Sequence, residues 1–297
     1  MTEGAPDSNK AEKRPVAVIT DSATALPAEI SSSLHLLVTP MEITFQGVTY
    51  DDGPDGVGDE FYDMLRSGDE VPKTSAPRPA RWLENIRAGI EVADSVVIVT
   101  LASNLSASYD SARVAVEILQ EEIPDYPITV VDSKTAAGSE ALVAIAAARD
   151  ASRGASHAEV LASTRRVVDK VRLFAYLDTL EYVWRSGRVP RIAVWANNIL
   201  KMKPLMELSG GRVVNIARPR SRTKAMDRML TEVARSAGAL PTHFAVMHAD
   251  APDEASSLHD RIEREFNVAD IYFTQFAPFM GAHTGPGLVG VSFWAEG

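Results

Sequence analysis

Ser95-Val96-Val97-Ile98-Val99-Thr100 carries β-branched residues at all five positions after Ser95 and is followed at once by Leu101-Ala102-Ser103-Asn104-Leu105-Ser106-Ala107-Ser108-Tyr109 and then by helical spacing over Ser108–Glu121. A short run without alternation reads as a strand buried on both faces, the kind found at the centre of a parallel sheet covered by helices. Working outward, Pro15–Thr20 and Ile128–Val131 repeat the pattern, and helical spacing recurs near Leu26–Ile30, Asp59–Arg66, Arg78–Val92, Ser139–Arg149 and Ala158–Lys170. Leu36–Thr39 and Glu42–Phe45 read as further short strands. Strands alternating with helices of this length predict an α/β fold with a mainly parallel sheet.

The second half reads differently. Leu173–Leu177, Phe244–His248, Ile271–Phe276 and Leu288–Trp294 are strand-like, Pro190–Met202, Thr223–Ala234 and Pro252–Phe266 helical, and Ser209-Gly210-Gly211-Arg212 is a hairpin signal. The expected organisation is a disordered leader over 1–14, an N-terminal α/β domain over 15–171 and a C-terminal α+β domain over 172–297.

Composition narrows the function. The chain has 297 residues, 45% of them hydrophobic, with 30 Lys+Arg against 40 Asp+Glu for a formal charge of −10, and no cysteine. Disulfide scaffolds, thiolate metal sites and cysteine nucleophiles are thereby excluded. The polar start MTEGAPDSNKAEKR has no apolar core of a signal peptide, and no apolar run approaches the ~20 residues of a membrane span, so the protein is expected in the cytoplasm. Charge is uneven: Arg185–Arg228 holds eleven basic residues against Glu207 and Asp227, a net +9 that leaves −19 on the rest. Such a field suits an acidic partner, phosphates or anionic headgroups, or is simply a solvated face.

Three hydroxyl-rich sites flank strand-like runs: Thr20-Asp21-Ser22, Lys73-Thr74-Ser75-Ala76-Pro77 and Ala102–Tyr109. Strand C-termini of a parallel sheet are where anions bind, with Ser103 best placed, although hydroxyls there also serve as turn and cap residues. His283 stands in the glycine-rich Gly281-Ala282-His283-Thr284-Gly285-Pro286-Gly287, read as a loop that lets backbone approach a ligand. Neither GxxxxGK[ST] nor a GxGxxG between strand and helix is present, so nucleotide binding has no motif support. The acidic Asp51-Asp52-Gly53-Pro54-Asp55 reads as a solvated turn.

In order along the chain, Val18–Pro27, Lys73–Pro77, Leu101–Ala112, Val130–Thr135, Ser186-Gly187-Arg188-Val189, Lys203-Pro204-Leu205 and His283–Gly287 resemble the motifs of the DegV family. The resemblance implies a two-domain DegV-like fold that binds a long-chain fatty acid, with its carboxylate between the domains and its tail in an apolar tunnel. It further implies presentation of that acid to a separate ATP-binding fatty acid kinase subunit, which makes an acyl phosphate for phospholipid synthesis. On this reading the chain is a lipid-binding carrier, not itself an enzyme, with no catalytic residue, metal or cofactor beyond the bound acid. Carried over by motif, Thr74, Ser75, Ser103, Asn104, His283, Thr284 and Arg188 hold the carboxylate. Arg191, Lys203 and Arg222 would dock the kinase or a transient membrane surface, and nucleic acid is not a partner. Ala76, Ala102, Ala107 and Ser108 depart from the family pattern. The rival reading is a stand-alone acyl hydrolase or acyltransferase using Ser103 and His283.

Overall fold

The computed structural model describes residues 13–53, 61–67, 72–189 and 202–297. Most of the leader expected over 1–14, all but Met202 of the helix expected over 190–202, and Arg191 lie outside them. Arg14 is described, and its N–H bonds the Val92 carbonyl at 3.0 Å rather than trailing free.

Strands β1 (Ala17–Asp21) and β6 (Val96–Thr100) are buried at every position, as their unalternating sequences require. With β2 (Leu37–Thr39) and β7 (Ile128–Asp132) they form a parallel sheet in the order β2-β1-β6-β7. Helices α3 (Pro79–Val92) and α4 (Ser108–Glu122) cover one face through Trp82, Ile86 and Leu119. Helices α5 (Ala137–Ser152) and α6 (His157–Lys170) cover the other; α6 opens with a capping box between Ser156 and Glu159. The chain leaves β1 toward β2 on one side and returns to β6 on the other, which opens a crevice at the carboxyl ends of those strands.

A small antiparallel sheet, β4-β3-β5, joins β3 (Glu42–Phe45), β4 (Val48–Asp51) and β5 (Lys73–Ser75). Short helices α1 (Ala28–Ser33) and α2 (Phe61–Ser67) accompany it, α1 starting after Pro27 rather than including it.

From Arg172 onward a six-stranded sheet is built in the order β10-β9-β8-β13-β11-β12, from β8 (Arg172–Tyr176), β9 (Leu205–Ser209), β10 (Arg212–Ala217), β11 (Thr242–Ala249), β12 (Val268–Gln275) and β13 (Leu288–Ala295). Its one parallel pair, β11–β12, is joined through α9 (Pro252–Glu265), while the expected hairpin joins β9 to β10. Helices α8 (Arg222–Ala237) and α9 bury Met229, Val233, Leu258 and Ile262 against one face. The opposite face meets α5, so that helix is apolar nearly all round because it is sandwiched between two sheets. No helix among the described residues is long and apolar enough to cross a membrane.

Two further short helices stand among the described residues. Helix α7 (Glu181–Ser186) ends at Gly187, and α10 (Pro278–Thr284) lies where the sequence reads as a glycine-rich loop. His283 therefore sits in the last turn of a helix.

Candidate functional site

The crevice at the ends of β1 and β6 opens into a cavity of about 670 Å³ shared by both halves of the molecule. Its size is that of a small-molecule site. Leu173 and Leu177 from β8 and the residue beyond it, Met206 and Leu208 from β9, Phe279 from α10 and Leu288 from β13 give it apolar walls. Thr74, Ser75, Ser103, Asn104, Arg188, His283 and Thr284 line the same cavity. All seven positions expected to meet a carboxylate are thus brought to one place, though their hydrogen bonds divide them.

Thr74, Arg188 and His283 form one linked corner. Thr74 lies in β5 opposite Ile43 of β3, and its Oγ1 is 2.9 Å from His283 Nε2 and 3.2 Å from Arg188 Nη2. Arg188 is delivered by the left-handed turn at Gly187 (φ 70°) and also donates to the Ser186 carbonyl at 3.0 Å. Burial, with the Arg188 charge beside it, pushes the His283 imidazole down to about 4. His283 is therefore neutral at physiological pH, with one ring proton. Its Nδ1 is buried with no partner among the described residues, so we assign the proton to Nε2 from the network: a bare lone pair is cheaper to strand than an N–H. Thr74 then accepts from both His283 and Arg188, and its own hydroxyl proton is left for a ligand acceptor.

Ser103 and Asn104 are held otherwise. The Ser103 hydroxyl donates to Asp132 Oδ2 at 2.6 Å and its N–H to Oδ1 at 3.2 Å, with Lys134 N–H adding a third donor to that carboxylate at 2.8 Å. Asp132 ends β7 opposite Thr100, which explains why it meets the residues just past β6. The Asn104 side chain donates to the Gly211 carbonyl at 2.6 Å, and the Gly211 N–H to the Lys134 carbonyl at 2.6 Å, strapping the β9–β10 turn over this rim. The backbone N–H of Asn104 makes no hydrogen bond among the described residues, and Asn104 lines the cavity. Thr284 returns its hydroxyl to the Met280 carbonyl at 3.1 Å inside α10.

The Ser–His arrangement of a hydrolase is not assembled. Ser103 pairs with Asp132 and His283 with Thr74. Thr20-Asp21-Ser22 is likewise no anion seat, because Asp21 is fully buried and burial raises its pKa. Of the basic residues expected to dock a partner, Lys203 and Arg222 converge on Asp178 at 2.8 and 2.6 Å, and Arg222 also meets Glu254. Burial pushes Asp178 up, but the hydrogen bonds from Arg222 and Lys203 outweigh it and hold the carboxyl below its usual value.

Two residues escaped sequence reasoning. Asp132 stands inside the quoted Val130–Thr135 motif, but nothing local tells that it reaches across to Ser103. Asp52, read as part of a solvated turn, is buried and accepts the Phe279 N–H at 3.0 Å. The glycine at 285 has a plain reason: it sits at φ 71°, and a Cβ there would run into the Tyr182 ring.

The family model described as "Uncharacterised protein, DegV family" matches residues 15–296. A DegV domain-containing protein of Streptomyces coelicolor is 33% identical over 280 residues, 94% of this chain and 98% of its own. Protein DegV of Bacillus subtilis is 26% identical over 278 residues, 93% of this chain and 98% of that one. Among solved structures, a DegV family protein from Thermus thermophilus, described as fatty-acid binding, superposes with a TM-score of 0.88 at 26% identity and covers 95% of this chain and 100% of its own.

Proposed function

The chain belongs to the DegV family, and on that premise we propose that it is a carrier for a long-chain fatty acid. The observation that carries this reading is a cavity between two halves with mostly apolar walls, into which Thr74, Arg188 and His283 bring one linked cluster of neutral and cationic donors. The carboxylate receives the Thr74 hydroxyl, the Arg188 guanidinium and the Asn104 N–H, with Ser75, Ser103 and Thr284 around them and His283 holding Thr74 in register. Charge-assisted bonds of this kind offset desolvation of the head group. The tail supplies affinity at about 0.8 kcal/mol per buried methylene, so the apolar walls outweigh any single polar contact. The Thermus thermophilus protein described as fatty-acid binding supports the assignment.

No group on this chain needs to act as nucleophile or general base. The acid is presented to a separate ATP-binding kinase subunit in the cytoplasm, and the acyl phosphate formed there serves phospholipid synthesis. Arg188 stands at the carboxylate end, where it would also meet incoming phosphoryl charge. The free cations of the +9 segment supply the docking field.

Native mass spectrometry of protein purified from cells, followed by calorimetry with C14–C18 acids, tests the carrier reading. A lipid-free protein that binds none of these acids would overturn it. The kinase step is tested by adding ATP with the kinase subunit and trapping acyl phosphate with hydroxylamine; acyl phosphate made by this chain alone would refute the carrier role.

A further inference from the structure

Two buried carboxylates outside the cavity bracket its two polar walls. Asp52 follows β4 and is 3% exposed. Its Oδ1 accepts the Phe279 N–H in the first turn of α10, the helix that carries His283, and its Oδ2 accepts the Ser22 hydroxyl at 2.8 Å. The Ser22 oxygen in turn accepts the Met41 N–H at 3.0 Å. Asp21, the preceding residue, takes the Leu101 N–H and the Ser108 hydroxyl on one oxygen and the Ala23 N–H at 3.1 Å on the other. Leu101 and Ser108 bound the loop bearing Ser103 and Asn104. The adjacent residues Asp21 and Ser22 therefore tie the loop on one wall to the helix on the other.

We propose that Asp52 is a positioning residue for the carboxylate site, gripping α10 from the N-terminal half so that His283 meets Thr74 in register with the loop that Asp21 holds. The inference rests on the fatty-acid reading above.

Stability is a poor explanation for an aspartate here. Among the described residues no lysine or arginine pairs with Asp52, so its charge is buried without a counter-ion and costs the fold. The groups facing it are Ser22 and Asp21 at the end of β1, Tyr62 of α2 and the α10 backbone, while the nearby Arg78 and Arg81 are engaged by Glu42 and Asp51. Burial, with a further push from Asp21, raises the Asp52 carboxyl to about 6 despite the two hydrogen bonds that oppose it. Its grip on Phe279 is a charged one at neutral pH and weakens just below it.

The test compares wild type with Asp52→Asn, which keeps the shape and removes the charge. Oleate affinity by calorimetry at pH 7.5 should fall about five- to tenfold, the effect of weakening one charge-assisted contact. Between pH 5.5 and 7.5 the wild type should lose affinity toward acid more steeply than the variant; comparing the two cancels the ligand's own ionisation. The His283 ring signals of the ligand-free protein, followed by NMR, should shift in the variant while its melting temperature at pH 7.5 holds or rises. Unchanged affinity and unchanged His283 signals would overturn the proposal, and so would an affinity loss matched by a lower melting temperature. Should Asp52→Asn not fold, Ser22→Ala, which removes one donor to Asp52 and also the acceptor of the Met41 N–H, is judged by affinity and His283 signals alone, and no change in either would overturn the proposal. A wild type that binds no C14–C18 acid while the variant still shifts His283 would fail the fatty-acid reading and leave the positioning role standing.

Discussion

Thr74 gathers more of the site's chemistry than any neighbour, because one hydroxyl oxygen serves both His283 and Arg188. Thr74→Val keeps the volume, strands both donors and removes the proton meant for the ligand. Its oleate affinity should fall about five- to 150-fold, about 1–3 kcal/mol by the usual cost of an unmade buried bond. Thr74→Ser should keep most of it; isothermal calorimetry that finds the valine variant equal to wild type would remove Thr74 from the site. His283 and Asp52 also give the fold opposed pH dependences. The His283 pKa is lowered to about 4, so the unfolded chain binds a proton first, and the stability His283 gives is lost as pH falls from 6.5 through 4. Asp52 is raised to about 6, so the folded chain binds a proton first, and its contribution is lost as pH rises from 3.8 through 6. At 1.36 kcal/mol per pKa unit each amounts to at most about 3 kcal/mol, and over pH 4–6 they largely cancel. Relative to wild type, His283→Gln should tilt the stability-versus-pH curve toward acid over that window and Asp52→Asn toward base; urea midpoints at pH 4.5 and 6 would show it. Parallel curves for all three proteins would deny both assignments.

At the scale of elements, α5 and α10 show what a sequence can and cannot announce. The alanine-rich spacing over Ser139–Arg149 announces α5, but the reason for small residues appears only with its partners. A Cβ at Gly138 would lie 2.8 Å from Met247 Cε and 2.9 Å from Ala245 Cβ, both on β11. Gly138→Ala should therefore cost about 1–3 kcal/mol by overpacking, against the gain an alanine normally brings to a helix. Thermal melting should show a loss of several degrees, and a stabilised variant would mean that α5 and β11 have room for the added methyl. Helix α10 was not legible at all. Gly281, Gly285, Pro286 and Gly287 read as loop, and the acceptor for the Phe279 N–H comes from Asp52, 227 residues away. Strands β4 and β5 escaped for a related reason: four and three residues carry no periodicity, and both pair with β3 across the sheet. The long strands and helices were legible because their burial patterns are local. That Ser103, Thr74, Arg188 and His283 meet at one cavity was legible through motif order, whereas Asp132 and Asp52 act through contacts between distant segments.

For the molecule as a whole, the charge split and the shared cavity have separate consequences. Part of the +9 segment is spent internally: Lys203 and Arg222 on Asp178, Arg228 on Glu232 and Arg185 on Glu181. Among the described residues Arg188, Arg212, Arg218, Arg220 and Lys224 form no ion pair, so any directed field toward an acidic partner is theirs. The cavity, in contrast, is walled by β5, the loop after β6, β8, β9 and α10, elements of both halves. A ligand held there binds neither half in its unfolded form, so it should stabilise them together. At free oleate near 100 times its dissociation constant the gain is about 2.7 kcal/mol. For a chain somewhat larger than 250 residues, at roughly 2–4 °C per kcal/mol, the melting point should rise by about 5–10 °C in one cooperative transition. Differential scanning calorimetry checks this. Two transitions of which only one moves would assign the cavity to a single half, and no movement at all would mean that oleate does not seat between them.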